Sequence, residues 1–246
     1  MAEWNDPRTT GVNTATIGVP RAARDAGLRS YMLSVYNYMA SGVLLTGIVA
    51  LLFAPYAADV LLSQSGRGMS GLGWIITLSP LAIVMAMSFG MGRMATSTLQ
   101  LLFWAFAGLM GLSMSTLFLA YTGASIAQTF FATAAAYLGL SLYGYTTKRN
   151  LGVFGTFLIM GVVGILVALL VNMFLQSSAL ALGISAIGVL LFAGLTAYDT
   201  QRIKSLYFQV AGTEMAGKTV IMGALQLYLD FINMFQFLLM FMGNRR

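Results

Sequence analysis

Seven long apolar stretches run through the chain after its first thirty residues, separated by short polar links. They cover residues 34–53, 74–91, 99–121, 125–145, 151–175, 179–198 and 220–242. Each has about the length that an α-helix needs to cross the hydrocarbon of a bilayer, roughly 20 residues. The edges carry stop signals. Ala54-Pro55 closes the first stretch, because proline has no N–H with which to continue a helix. Gly92-Arg93 closes the second and Lys148-Arg149 the fourth. The pattern predicts an all-α membrane protein, a bundle of seven transmembrane helices.

Two links, Thr122-Gly123-Ala124 and Gln176-Ser177-Ser178, are short and uncharged. They predict tight antiparallel hairpins of helices three and four and of helices five and six. Helices six and seven are joined by a longer polar link of about 20 residues that carries Arg202, Lys204, Glu214 and Lys218. Small residues let helix backbones approach in lipid. That role is expected for Gly161, Gly164 and Ala168 on helix five and for Ala132 and Ala136 on helix four. Residues 1–30 are polar, contain Pro7 and Pro20, and lack the early apolar stretch of a secretory signal. They read as a flexible cytoplasmic tail ahead of a membrane domain over 31–246.

Composition sharpens this picture. Of 246 residues, 59% are hydrophobic and 8% charged, which excludes a soluble domain, where charged residues run near about 25%. There is no cysteine and no histidine, so thiolate chemistry, the usual metal ligands and the usual switch near neutral pH are all missing. The net charge is +6, yet no basic stripe interleaved with aromatics suggests nucleic acid. The basic residues report topology instead. With the N-terminus inside, Arg8, Arg21, Arg24, Arg29, Arg93, Lys148, Arg149, Arg202, Lys204 and Lys218 fall inside, and only Arg67, Arg245 and Arg246 fall outside. This predicts a cytoplasmic N-terminus and, with seven spans, a C-terminus on the opposite side.

Ionisable groups within a span cost free energy and mark functional positions. Asp230 lies mid-way along helix seven, Asp199 at the inner end of helix six and Arg93 at the inner end of helix two. On helix seven, Gln226, Asp230 and Asn233 fall within about 60° of arc, with Gln236 beyond them. Such a stripe must face protein or water, which makes helix seven an inner helix. Asp230 sits about 15 Å deeper than Asp199 if both helices stop at the membrane surface. A direct carboxyl pair therefore requires helix six to continue past Tyr198 or helix seven to begin elsewhere. If they meet, they share a proton at lower pH and can hold a divalent cation at higher pH. Asn233 and Gln236 would add carbonyl oxygens, which calcium prefers. The alternatives are structural: an Asp199–Arg202 ion pair at i,i+3, neutralisation of Asp199 by Arg93, or a protonated Asp230 that serves helix packing.

The segments that carry these aspartates resemble a known family. Phe192-Ala193-Gly194-Leu195-Thr196-Ala197-Tyr198-Asp199-Thr200-Gln201-Arg202-Ile203-Lys204 resembles the sixth-helix signature of the Bax inhibitor-1 family. Ala224-Leu225-Gln226-Leu227-Tyr228-Leu229-Asp230-Phe231-Ile232-Asn233-Met234-Phe235 resembles its seventh-helix signature. The resemblance implies a seven-helix bundle with the seventh helix central. It implies a pH-sensitive calcium leak gated by the Asp199–Asp230 pair, with Arg93 as a second-helix arginine able to engage Asp199, and calcium as the permeant or bound ion rather than a cofactor. It also offers an alternative, a regulatory protein that binds a membrane protease or another membrane partner through the tail 1–30 or the loop 205–218. The expected location is a bacterial inner membrane. An enzyme is not expected: no phosphate-binding glycine loop occurs, and the aspartate motifs differ from those of intramembrane proteases.

Overall fold

A computed structural model describes residues 21–63 and 68–245. The first span joins α1 (Arg21–Phe53), a short 3-10 turn (Ala54–Tyr56) and α2 (Ala57–Leu61). The second span is α3 (Gly71–Gly90), and the third is α4 (Thr96–Met114) followed by α5 (Leu117–Ala120). The last four are α6 (Gly123–Thr146), α7 (Gly152–Leu175), α8 (Ser178–Val210) and α9 (Met215–Met242). All seven spans are long and apolar enough to cross a membrane. Hydroxyl side chains set several starts. Ser70, Thr122 and Ser177 each accept a backbone N–H three residues ahead, satisfying a donor that the first helical turn leaves free. Gln176 ends α7 in the left-handed region at φ 50°, and Gly212 turns the chain at φ 77° between α8 and α9.

The seventh helix is the centre of the bundle. Over its most apolar stretch 56% of α9 is buried, against 6% for α7, the outermost helix. Leu225, Leu227, Tyr228, Met234 and Leu239 are sealed from solvent, and α1, α4, α6 and α8 close around them. Tyr228 is the largest of these side chains. Its ring meets Phe103 and Phe106 edge-on, and its hydroxyl is 2.7 Å from Thr46 Oγ1, which donates to the Ala107 carbonyl at 2.8 Å.

Several expected boundaries move. Helix formation starts at Arg21, inside the stretch read as a tail, because the Ala-rich turn leads directly to Leu28 and Tyr31, both buried. Residues 1–20 lie outside the described residues. The long link between helices six and seven is absent. The α8 helix runs to Val210 and α9 begins at Met215, so only four residues, Ala211 to Glu214, join them. The extension is held by packing: Ile203 lies under Gly223, and the Tyr207 ring meets the Tyr31 ring at 5.4 Å. The expected loop contact at 205–218 is therefore mostly helix.

The α7–α8 pair forms the expected hairpin, but α4 and α6 do not pack along each other. The α6 helix turns to α8 and α9 instead, because Ser125, Thr129, Thr133, Tyr137 and Ser141 make a buried stripe at every fourth residue. Ala132 and Ala136 lie off that stripe and are exposed, as is Gly164, which meets nothing. Gly161 does serve contact, against Leu191, and Ala168 packs against the core. The closest backbone approach on α6 is at Gly144, where a Cβ would stand 2.3 Å from the Ala197 carbonyl oxygen.

Candidate functional site at the centre of the bundle

The extension of α8 brings the two aspartates to comparable depth. Asp199 lies eleven residues before the end of α8, and Asp230 fifteen residues after the start of α9. At 1.5 Å per residue these are about 17 Å and about 22 Å from the connecting turn. The depth difference expected from shorter helices has largely gone. The two carboxyl groups lie within interaction range of each other, and the Gln226 side chain lies within range of Asp199. Both residues are buried, at 3% and 4% exposure. Asp199 Oδ1 and Asp230 Oδ2 have no hydrogen-bond partner. Such orphaned oxygens in a low-dielectric interior are expensive, and a functional role commonly explains them.

Polar side chains from α6 and α1 close over the site. The Tyr137 hydroxyl donates to the Leu227 carbonyl at 3.3 Å. Beside Asp199, Thr200 Oγ1 is 3.1 Å from Ser141 Oγ, which is 2.5 Å from the Tyr36 hydroxyl. Sequence reasoning missed this network. Its signal was the every-fourth-residue repeat of hydroxyls on helix four, from Ser125 through Tyr137 to Ser141.

The remaining expected site residues are spread along α9. Arg93 is exposed in the turn after α3, and the structure does not bring it to Asp199. The arginine whose charge acts on Asp199 is Arg202, one turn along α8 and itself exposed. Asn233 does not turn its amide to the pair, since its Nδ2 donates to the Leu229 carbonyl at 2.8 Å. Asn233 and Gln236 line a cavity of about 380 Å³ against α7 and α8. Gln226, with Ser88, Arg202 and Thr219, lines another of about 360 Å³ toward α3. A third, of about 490 Å³, shares Met240 with the cavity at Asn233 and Gln236 and reaches Gln176, Ser177 and Arg245. The stripe thus borders a cavity on each side of the carboxyl pair.

As ligands, the two carboxyls offer at most about four oxygens, where calcium takes six to eight. Among the described residues no group of three or more acidic, histidine or cysteine side chains could hold a metal. The donor set falls short of what a resident calcium ion takes.

A family model described as "Inhibitor of apoptosis-promoting Bax1" matches residues 28–246. Protein RP147 of Rickettsia prowazekii is 48% identical over 222 residues, covering 90% of this chain and 92% of the relative. A protein of Caulobacter vibrioides is 46% identical over 229 residues, covering 90% and 91%. Inner membrane protein YbhL of Escherichia coli is 45% identical over 223 residues, covering 90% and 94%.

Proposed function

Since the chain belongs to the Bax inhibitor-1 family, we propose that it is a pH-sensitive calcium leak gated by the Asp199–Asp230 pair. The observation that carries this reading is the pair itself: two buried carboxyls in contact, each with one unpartnered oxygen, between two cavities along the polar stripe of α9. With a proton between them, the carboxyls tie α8 to α9 and close the path. Without it, both are acceptors, the hydrogen bond is lost and like charges repel across a dry site. The separated carboxylates then attract a divalent cation, with Gln226 toward one cavity and Asn233 toward the other. The leak therefore runs faster at pH 8 than at pH 6. In this reading the protein sits in a bacterial inner membrane, as the name of the Escherichia coli relative says of that protein, with its N-terminus cytoplasmic and its C-terminus outside.

The test is calcium uptake by liposomes that contain the purified protein, at pH 6, 7 and 8. The native chain is expected to conduct increasingly with pH, and Asp199→Asn and Asp230→Asn to lose that dependence. No flux above empty liposomes at any pH, with folded protein present, would contradict the reading.

A further inference from the structure

The first and fourth spans both lean on α8 and α9 but do not pack along each other. A slot is left between α1 and α6, with a cavity in each half. One, of about 430 Å³, lies by Gly47 and Ala50 of α1 and Ala127 and Phe131 of α6, and its walls are almost wholly apolar. The other, of about 410 Å³, begins at Arg29 and runs to Tyr36 on α1, facing Leu138, Leu142 and Tyr145 on α6. Leu33 and Tyr36 follow Arg29 by four and seven residues, and Leu142 and Tyr145 follow Leu138 by the same steps. Each set therefore forms one helix face.

The chemistry of this second cavity is amphipathic. Leu33, Leu138 and Leu142 are 51%, 69% and 63% exposed on the isolated chain, a surface that in a bilayer meets acyl chains. Arg29 is exposed at one end, and its guanidinium has no hydrogen-bond or ion-pair partner among the described residues. More cations gather there. Lys204 Nζ donates to the Tyr145 carbonyl at 2.6 Å and lies 4.8 Å from the Tyr145 ring centre. Lys148 and Arg149 are exposed in the link that follows α6. The acidic side chain on this end of α1 is Asp25, one turn before Arg29 and exposed. The balance is positive, and basic pockets between spans recognise anionic headgroups. From Arg29 to Tyr36 the slot offers about 10 Å of mostly apolar length, enough for the first part of an acyl chain.

We propose that the slot between α1 and α6 binds an anionic phospholipid, with its phosphate at Arg29 and one acyl chain along Leu33, Leu138 and Leu142. The floor of this site is the Tyr36–Ser141–Thr200 network, which ends beside Asp199. The site stands independently of any ion conduction.

Native mass spectrometry of the full chain, mixed with phosphatidylglycerol or phosphatidylcholine of identical acyl chains, tests this. The native protein is expected to retain phosphatidylglycerol in preference. Arg29→Gln loses about tenfold of phosphatidylglycerol affinity, as removal of one charge-assisted hydrogen bond predicts, and with it the preference. Leu138→Trp fills the slot and releases both lipids. Ala127→Trp, in the other cavity, leaves the preference as it was. Arg29 and Leu138 both point outward, so these variants fold, and Arg29→Gln alone decides the headgroup. Equal retention of the two lipids by the native chain, or unchanged preference in Arg29→Gln, overturns the proposal. So does displacement of the lipid by millimolar inorganic phosphate, or a dimer of this chain that Leu138→Trp abolishes.

Discussion

Two carboxylates are both hydrogen-bond acceptors, so a hydrogen bond between Asp199 and Asp230 needs a proton between them. The proposed pH response rests on this chemistry, in a chain that has no histidine. The aspartates were legible in the sequence, because an ionisable group in an apolar run has no ordinary explanation. Their neighbours were less so. Asn233 shares their helix face but spends its amide on the Leu229 carbonyl, and Arg93 stands away in a turn. Helical phase fixes direction, but not which local acceptor captures a side chain. Elsewhere on α9 the Tyr228 hydroxyl ties the helix to Thr46 of α1. Tyr228→Phe leaves Thr46 bonded to the Ala107 carbonyl, so no buried group is orphaned. The expected loss is about 1 kcal/mol, read from thermal unfolding in detergent. A loss several times larger would mean that the hydroxyl does more than tie two helices.

Hydropathy reports where a helix lies in lipid, not where it ends. The apolar stretch of helix six stops at Tyr198, yet α8 continues for three more turns on a stripe of Ile203, Leu206, Tyr207 and Val210 that packs on its neighbours. The seven spans were therefore readable and the α8–α9 junction was not, although that junction brings the aspartates together. Partner choice among helices was hidden for a related reason. A short link predicts neighbours, but the hydroxyl stripe of α6 draws it away from α4. Glycines test this packing directly. Gly144→Ala places a Cβ against the Ala197 carbonyl and forces α6 from α8, at an expected cost of about 1–3 kcal/mol. Gly164→Ala meets nothing and removes a flexible residue from a helix, so it is neutral or slightly stabilising. Equal effects on the unfolding midpoint would mean that the α6–α8 approach is looser than described.

At the scale of the whole molecule, a central helix with a polar stripe is enclosed by α1, α4, α6 and α8, and cavities border the stripe on either side of the carboxyl pair. A path across the membrane needs an orientation, and the basic residues supply the expectation of one. The absence of native cysteine gives a clean background for testing it. In intact cells a membrane-impermeant thiol reagent is expected to label Ser178→Cys, at the exposed start of α8, and to spare Lys148→Cys, in the link after α6. The reverse pattern would invert the bundle. The central claim, however, is that Asp199 and Asp230 act as one proton-sharing unit that gates calcium. The most direct measurement is calcium flux into liposomes across pH 6 to 8 for Asp199→Asn, Asp230→Asn and the double variant, beside the native chain. One unit predicts that either single substitution removes the whole pH dependence and that the double variant adds nothing further. Partial losses that sum in the double variant would show two independent groups, and the pair would not be the gate.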